Sequence, residues 1–269
     1  MSAVFEQTSL RDPDVLFRIV NRVAIITLNR PAALNALSHS MIHELLELVE
    51  RCRVDQDIVA LVLRGAGEKS FCAGGDVRAL YEMRQRNDNG WQSFFIDEYR
   101  LDYTLYHFSK PVVALLDGIV MGGGMGLGQG AWLRVVTERT KMAMPETRIG
   151  FVPDVGATHF LGQMPTEMEL YVGLTGVTLS GAEALHFGLA DLCVPFEWLG
   201  SFEERLMRIV TADASAIDLM RALRTVFEPP CNIVPHAGLA VFAPLIKRHF
   251  ERRSTVECIV ASMRPRSRT

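Results

Sequence analysis

The chain has 269 residues, 49% hydrophobic and 22% charged, which is typical of a globular protein with a sizeable core. Its formal net charge of −3 gives no electrostatic basis for binding nucleic acid, which normally requires a basic face. Five cysteines without a Cys-x-x-Cys pair, and an N-terminus lacking a basic-then-apolar pattern, predict a reduced, cytoplasmic protein without disulfides or a metal site.

The first predicted elements are a strand pair and a capped helix. Residues 15–28 read as two strands joined by a hairpin at Asn21-Arg22. Ser38 is expected to cap a helix with helically spaced apolar residues. The later expectations, in chain order, are a strand at 58–65, a helix at 91–108, a strand at 111–118, two short strands within 132–146, a capped helix at 180–188 and a strand at 190–195.

One segment could be mistaken for a membrane span. Asp117 is the only charge between Lys110 and Arg134, a length that could cross a bilayer. Seven glycines lie between Gly118 and Gly130, however, and so many glycines destabilise a helix. The segment therefore predicts a buried strand, a turn and a buried helix, with no membrane association.

Strand pairs alternate with helices along the first 195 residues. This α/β pattern differs from a doubly wound sheet, in which single strands alternate with helices. After Trp198 only helical patterns follow, among them a capping box from Ser254 to Glu257. We therefore divide the sequence into a core, residues 1–195, and a C-terminal helical region, residues 196–269.

Two glycine clusters are candidates for chemistry, SFCAGGDV (70–77) and DGIVMGGGMGLGQG (117–130). Each follows a predicted strand and precedes a predicted helix, whose first N–H groups lack intrahelical acceptors. If the two clusters face one another, their N–H groups would converge on an oxygen that becomes negative during a reaction. The alternative is that the glycines serve only turns and close packing.

Other motifs are weaker. The glycines from Gly126 to Gly130 form only part of a dinucleotide-binding fingerprint, and no G-x-S-x-G elbow exists. His39 and His43 lie four residues apart on one predicted helix, but no glutamate follows His39. We interpret both as surface or packing histidines rather than metal ligands.

Three carboxylates are candidates for proton transfer or substrate binding. Glu146 and Asp154 lie in apolar, proline-containing segments, where burial would raise their pKa values and suit them to acid–base work. The alternative is that Glu146 caps a helix or forms a salt bridge and that Asp154 caps the helix after Gly156. For Glu98, on the helix at 91–108, an exposed charge is the ordinary expectation.

Together these segments resemble the crotonase (enoyl-CoA hydratase/isomerase) superfamily. The resemblance covers most of residues 15–195 and is carried by LNRPAALNAL (28–37), SFCAGGDV (70–77), KPVVALLDGIVMGGGMGLG (110–128) and MPETRIGFVPDVGATHFL (144–161). Within the superfamily, MPET, PDVG and the Asp-Glu-Tyr of FFIDEYR look most like the 3-hydroxyisobutyryl-CoA hydrolases. The implied fold is a spiral of strand–strand–helix turns followed by a C-terminal helical region, here shorter than in those hydrolases.

The resemblance implies a role for each matching residue. Gly75 and Gly123 match the residues whose N–H groups form an oxyanion hole for the thioester carbonyl, and Glu146 matches the catalytic carboxylate. Asp154 and Glu98 match acids that bind or orient the acyl group; with Gly123 and Glu146 they would contact the substrate. The substrate would be an acyl-CoA, with coenzyme A as part of it and no separate cofactor. A homo-oligomer is a further expectation, because helices after residue 195 form subunit contacts in this family.

One departure separates the branches of the family. Hydratases of this superfamily use a second glutamate shortly after the triple glycine, and Gly126 stands at that position here. The resemblance therefore implies hydrolysis of a short 3-hydroxyacyl-CoA, such as 3-hydroxyisobutyryl-CoA in valine catabolism, with Glu146 as nucleophile or general base. Two alternatives stay open: an enoyl-CoA hydratase or isomerase, and a non-catalytic protein that binds a CoA ligand or another subunit.

Overall fold

Two β-sheets organise the fold. The computed structural model describes residues 12–209, 214–229 and 237–250. The strands of the described residues are β1 (Val15–Val20), β2 (Val23–Leu28), β3 (Ala60–Gly65), β4 (Ser70–Cys72), β5 (Val112–Leu116), β6 (Ile119–Met121), β7 (Leu133–Thr137), β8 (Lys141–Ala143), β9 (Leu179–Ser180) and β10 (Leu192–Val194).

Helices connect these strands and continue after the last of them. The α-helices of the described residues are α1 (His39–Val54), α2 (Val77–Gln85), α3 (Gly90–Tyr106), α4 (Gly123–Gln129), α5 (Ala157–Leu161), α6 (Thr166–Thr175), α7 (Gly181–His186), α8 (Phe196–Leu199), α9 (Phe202–Leu206), α10 (Ala216–Phe227) and α11 (Ala243–Phe250). Short 3-10 helices span Pro31–Ala33, Glu146–Ile149 and Gly238–Phe242.

Successive strand pairs divide between the two sheets. The larger sheet has the order β1-β2-β3-β5-β7-β10, and the smaller one β4-β6-β8-β9. In the pairs β3/β4, β5/β6 and β7/β8, the first strand therefore joins the larger sheet and the second joins the smaller. This arrangement is the predicted spiral of strand–strand–helix turns, and it confirms the α/β fold class.

Local signals placed several elements correctly. Asn21 and Arg22 have φ values of 48° and 65°, the left-handed pair that a two-residue hairpin turn requires, and β1 pairs antiparallel with β2. Ser38 caps α1 by accepting the Met41 N–H at 3.2 Å. Ser180 and Glu183 form the predicted capping box of α7.

The helices after residue 195 share a hydrophobic core with the larger sheet. Helices α1, α3 and α4 cover one face of this sheet, while α8, α9 and α10 cover the other. On that second face, Phe202 and Phe227 pack in one cluster with Ile25 and Val62. Because both faces are covered, every residue of β2 is buried. The domain boundary at residue 195 stays a prediction, and the capping box at 254–257 lies outside the described residues.

The glycine-rich segment 110–134 folds as predicted into buried strands and a helix. It contributes β5, β6 and α4 and ends in β7. Within the described ranges, no helix combines the length and the apolar character that a bilayer span requires.

The cysteines of the described residues are free thiols: Cys52, Cys72 and Cys193. Burial raises the pKa of Cys52 to about 11 and that of Cys72 to about 12, so both are protonated at neutral pH. Cys231 and Cys258 lie outside the described residues.

Glycines let α4 pack directly against its neighbours. A Cβ atom at Gly124 would collide with the Cys72 carbonyl oxygen and would lie 2.9 Å from the Cys72 Cβ. A Cβ atom at Gly128 would lie 2.8 Å from a methyl group of Leu116. The close-packing interpretation of these two glycines is thus correct.

We expect Gly124→Ala to lower the free energy of unfolding by about 1–3 kcal/mol, because the added methyl group meets rigid backbone. Urea denaturation followed by circular dichroism measures the change. Gly173→Ala is the control. Gly173 lies inside α6, and a Cβ atom there would make an ordinary contact with Leu161 at 3.6 Å. Because alanine has the higher helix propensity, this substitution should raise the free energy of unfolding by up to about 1 kcal/mol. Equal stabilities of the Gly124→Ala and native chains would contradict the packing argument.

Candidate active site

Three strands of the smaller sheet end beside one another and deliver the candidate residues. Strands β4, β6 and β8 are adjacent and parallel. Gly75 follows β4, Gly123 follows β6 and Glu146 follows β8. Because the carboxyl ends of parallel strands share one edge of the sheet, residues distant in sequence meet there.

The two glycine clusters touch at this edge. A Cβ atom at Gly74 would lie 3.0 Å from the Met121 carbonyl oxygen and 3.4 Å from the Gly123 nitrogen. Gly74 and Gly122 have φ values of +100° and +50°, a backbone conformation that residues other than glycine rarely adopt. The condition that the two clusters face one another is therefore met.

The N–H groups of Gly75 and Gly123 lie at this junction. Leu37 holds the Gly75 loop in place by donating to the Gly74 carbonyl at 2.8 Å and accepting from the Asp76 N–H at 2.9 Å. Gly123 is the first residue of α4, so its N–H has no intrahelical acceptor. Their role as an oxyanion hole stays a prediction.

Glu98 is buried, and the expectation of an exposed charge at this position is wrong. Its side chain on α3 is only 3% exposed, and its Oε1 atom has no hydrogen-bond partner within the described part of the chain. This oxygen would collide with a Cβ atom at Gly123 and would lie 3.9 Å from one at Gly75. Burial, reinforced by the charges of Asp154 and Glu146, raises the pKa of Glu98 to about 8.

Glu146 lies beside the same junction. Its Oε1 would be 3.0 Å from a Cβ atom at Gly122, and its Oε2 is buried without a hydrogen-bond partner from any described residue. Burial, with a smaller contribution from the charge of Asp154, raises the pKa of Glu146 to about 7. No cation of the described residues pairs with it, so the salt-bridge alternative is wrong.

Asp154 is fixed by a tyrosine of α3. The Tyr99 hydroxyl donates to Asp154 Oδ2 at 2.7 Å. Burial raises the pKa of Asp154, and the hydrogen bond from Tyr99 opposes that shift. Helix α5 begins after Gly156 without a side-chain cap, so the alternative role of Asp154 as its cap is wrong. Val155 has a φ of 43°, strained for a β-branched residue, and this strain lies directly beside the candidate acid.

Asp102 is an acid that the sequence analysis missed. It lies one helical turn after Glu98 on α3, and both of its carboxyl oxygens are buried without a partner among the described residues. Burial, then the charges of Glu98 and Asp154, raises the pKa of Asp102 well above its usual range. A Cβ atom at Gly126 would lie 2.8 Å from both oxygens and 2.7 Å from the Val155 Cβ.

A cavity of about 430 Å³ is lined by two of these acids, Asp102 and Asp154, whereas Glu98, Glu146, Gly75 and Gly123 are not part of its lining. Asp102, Asp154 and Gly126 contribute to its lining, as do Tyr106 and His159, which are joined by a hydrogen bond of 3.1 Å. Most of the remaining lining is apolar or aromatic, which is typical of a small-molecule pocket with a few polar groups. The close approach of Glu98 to Gly75 and Gly123, and the charge interactions of Asp154 with Glu98 and Glu146, place these five residues in one region.

The pKa shifts predict that stability falls with rising pH. The carboxyl groups of Glu98 and Glu146 have a higher pKa in the folded chain than in the unfolded chain, where it is near 4.5. Their contribution to stability is fully present below the pKa of the unfolded chain and is lost as pH rises through the pKa of the folded chain. For Glu146 and Glu98 the loss falls between about pH 5 and 9 and is on the order of a few kcal/mol. Urea denaturation across that range measures it.

Glu98→Gln should flatten this pH dependence and raise stability at pH 9, because an amide does not ionise. The exposed Glu47→Gln is the control and should leave the pH dependence as in the native chain. An unchanged slope in the Glu98 variant would show that this buried acid does not cause it.

Comparisons with known proteins identify the family. A model of the enoyl-CoA hydratase/isomerase family matches residues 23–269. A 3-hydroxyisobutyryl-CoA hydrolase 1 of Arabidopsis thaliana is 45% identical over 202 residues, 74% of this chain and 53% of that protein. The small ribosomal subunit protein mS47 of Neurospora crassa is 43% identical over 209 residues, 76% of this chain and 41% of that protein.

The solved structures agree on the fold. A carnitinyl-CoA dehydratase from Mycobacterium thermoresistibile is 38% identical and superposes with a TM-score of 0.82, covering 93% of this chain and 70% of that one. The chain spans about half the length of the curated relatives it matches. The spiral fold, the family model and these identities agree, and the chain belongs to the enoyl-CoA hydratase/isomerase (crotonase) family.

Proposed function

We propose that the chain hydrolyses the thioester of a short 3-hydroxyacyl-CoA such as 3-hydroxyisobutyryl-CoA. The observation that carries this proposal is the Glu146 carboxyl, buried and unpaired beside the junction of the two glycine loops. The related hydrolase of Arabidopsis thaliana supports the reaction class and the substrate.

The two loops and Glu146 have separate tasks in the reaction. The thioester carbonyl oxygen would accept hydrogen bonds from the N–H groups of Gly75 and Gly123, which stabilise the negative charge of the tetrahedral intermediate. A pKa of about 7 suits Glu146 to a proton transfer at neutral pH. As general base it takes a proton from water while the water oxygen attacks the carbonyl carbon. It then returns the proton to the departing CoA sulfur.

Glu146 can instead act as the nucleophile. Its carboxylate oxygen would attack the carbonyl carbon, expel the CoA thiolate and form an acyl anhydride, which water then hydrolyses. Both routes use the same N–H donors and give the same products.

Asp154, Glu98 and Asp102 supply the polar end of the acyl site. Glu98 Oε1 and both Asp102 oxygens lack a hydrogen-bond partner within the described residues; a hydroxyl group on the acyl chain would donate to one such oxygen, and its own oxygen would accept from a protonated neighbouring acid. An acyl group without that hydroxyl would leave them unpaired, which favours a 3-hydroxyacyl substrate.

The surroundings of Gly126 argue against hydration of a double bond. Hydration by a pair of glutamates would need a side chain at this position, where even a Cβ atom would meet Asp102 and Val155. A comparison of CoA-thiol release with water addition to enoyl-CoA separates the two activities. Water addition without thiol release would contradict the hydrolase proposal.

Glu146→Gln should lower kcat for thiol release by at least about a hundredfold, because the amide neither accepts the proton nor attacks the carbonyl. A thiol-reactive dye in an assay over several acyl-CoAs measures the rate. The exposed Glu47→Gln is the matched control and should keep the native rate. Unchanged cleavage by a folded Glu146→Gln chain would refute the mechanism.

A second candidate function is acyl-CoA or subunit binding without turnover. The 43% identity to a ribosomal subunit protein favours it, whereas the retained Glu146 and Asp154 argue for catalysis. Tight binding of acyl-CoA without thiol release over a broad substrate panel would support this candidate. The cytoplasmic location, the absence of a separate cofactor and a homo-oligomeric assembly stay predictions.

A further inference from the structure

A second cluster of side chains lies where α1 begins beside α3. His39 Nε2 lies 2.8 Å and His43 Nε2 3.4 Å from the same oxygen, Oδ2 of Asp97. One ligand atom from each of the three residues lies within 4.8 Å of the others. These residues do not line the cavity beside Asp102 and Asp154.

The two histidines have the spacing of a helical chelate. Residues four apart lie one above the other on the same face of a helix, and here both present their Nε2 atoms in one direction. No glutamate follows His39 in the sequence, so the pair lacks the acid of the usual helical zinc motif. Asp97, which comes from α3 and is 58 residues distant from His39, supplies that acid in space.

Charge and access also suit a cation. Asp97 has no ion-pair partner other than the two histidines in the part of the chain that the structure describes. The side chain of His43 is 57% exposed, and those of His39 and Asp97 are 22% and 19% exposed. An ion can therefore enter from solvent and keep water in its remaining coordination position.

We propose that His39, His43 and Asp97 bind a zinc ion through two imidazole nitrogens and one carboxylate oxygen. Two histidines, one carboxylate and a water form a common tetrahedral zinc set. The hydrogen bond from His39 to Asp97 would be exchanged for bonds from both groups to the metal. Because imidazole and carboxylate ligands also suit other divalent transition metals, cobalt is a suitable probe of the same ligands.

The ion would fasten α1 to α3 next to the Gly75 loop. The His39 ring contacts the Phe94 ring edge-on, with centroids 6.2 Å apart, and a Cβ atom at Gly75 would lie 2.9 Å from Phe94. The residues just before α1 also pair with this loop through Leu37. Since metal binding selects the folded state, zinc at about a hundredfold excess over its dissociation constant should raise the melting temperature by roughly 5–10 °C.

Calorimetric titration of the metal-free full chain with zinc tests the site directly. We expect a site with a dissociation constant of roughly 10 µM or tighter, weakened at least about tenfold in His43→Gln and in Asp97→Asn. His186→Gln, an exposed histidine on α7, is the matched control and should bind zinc like the native chain. The melting temperature should respond to zinc in the control and not in His43→Gln.

Cobalt absorption distinguishes these ligands from the cysteines. Binding through nitrogen and oxygen gives visible bands without an intense near-ultraviolet thiolate-to-cobalt band. A thiolate band, zinc binding unchanged in a folded His43→Gln chain, or no binding up to about millimolar zinc would each overturn the proposal. Because the titration needs no substrate, its result is independent of the proposed hydrolase activity.

Discussion

The parallel pairing of β4, β6 and β8 is the constraint on which the candidate site depends. Each strand is only three residues long and belongs to a different turn of the spiral. Their common direction brings the chain after Cys72, after Met121 and after Ala143 to one edge. One glycine loop, a second glycine loop and an acid are therefore neighbours although more than 70 residues separate the first from the last.

Backbone contact at this edge explains the glycines. The loops touch at Gly74 and Gly123, and Gly124 packs on Cys72, so side chains there would separate the two N–H groups. Glycine costs conformational entropy on folding, and α4 contains several within one short helix. The packing of α3, β4 and β5 around α4 offsets that cost, which is why a weak helix former persists at the centre of the protein.

The sequence predicted the strand–strand–helix alternation, the hairpin and the capped helices α1 and α7, because each has a local signal. The spiral itself was implied by the family resemblance, and the meeting of the glycine clusters was a condition that only the structure could test. The sequence did not predict that Glu98 is buried or that Asp102 belongs with it. A signal was present: Phe94, Leu101 and Leu105 recur at helical spacing, and Glu98 lies on the same stripe. Asp102 follows one turn later. A charge on an apolar stripe is informative, yet sequence alone does not say which face of α3 is covered.

Four acids, Glu98, Asp102, Glu146 and Asp154, share a region in which no described cation pairs with them. Neighbouring buried carboxyl groups cannot all ionise, so some of these acids keep their protons near neutral pH, where an exposed carboxyl group would have lost its proton. This arrangement destabilises the folded state as pH rises. The backbone strain at Val155 destabilises it further, at any pH. Structural needs alone do not account for such a cost, since apolar residues of similar size would pack as well. The proposed substrate would supply hydrogen-bond partners that the described residues do not, so on this proposal the buried acids serve substrate binding rather than the fold.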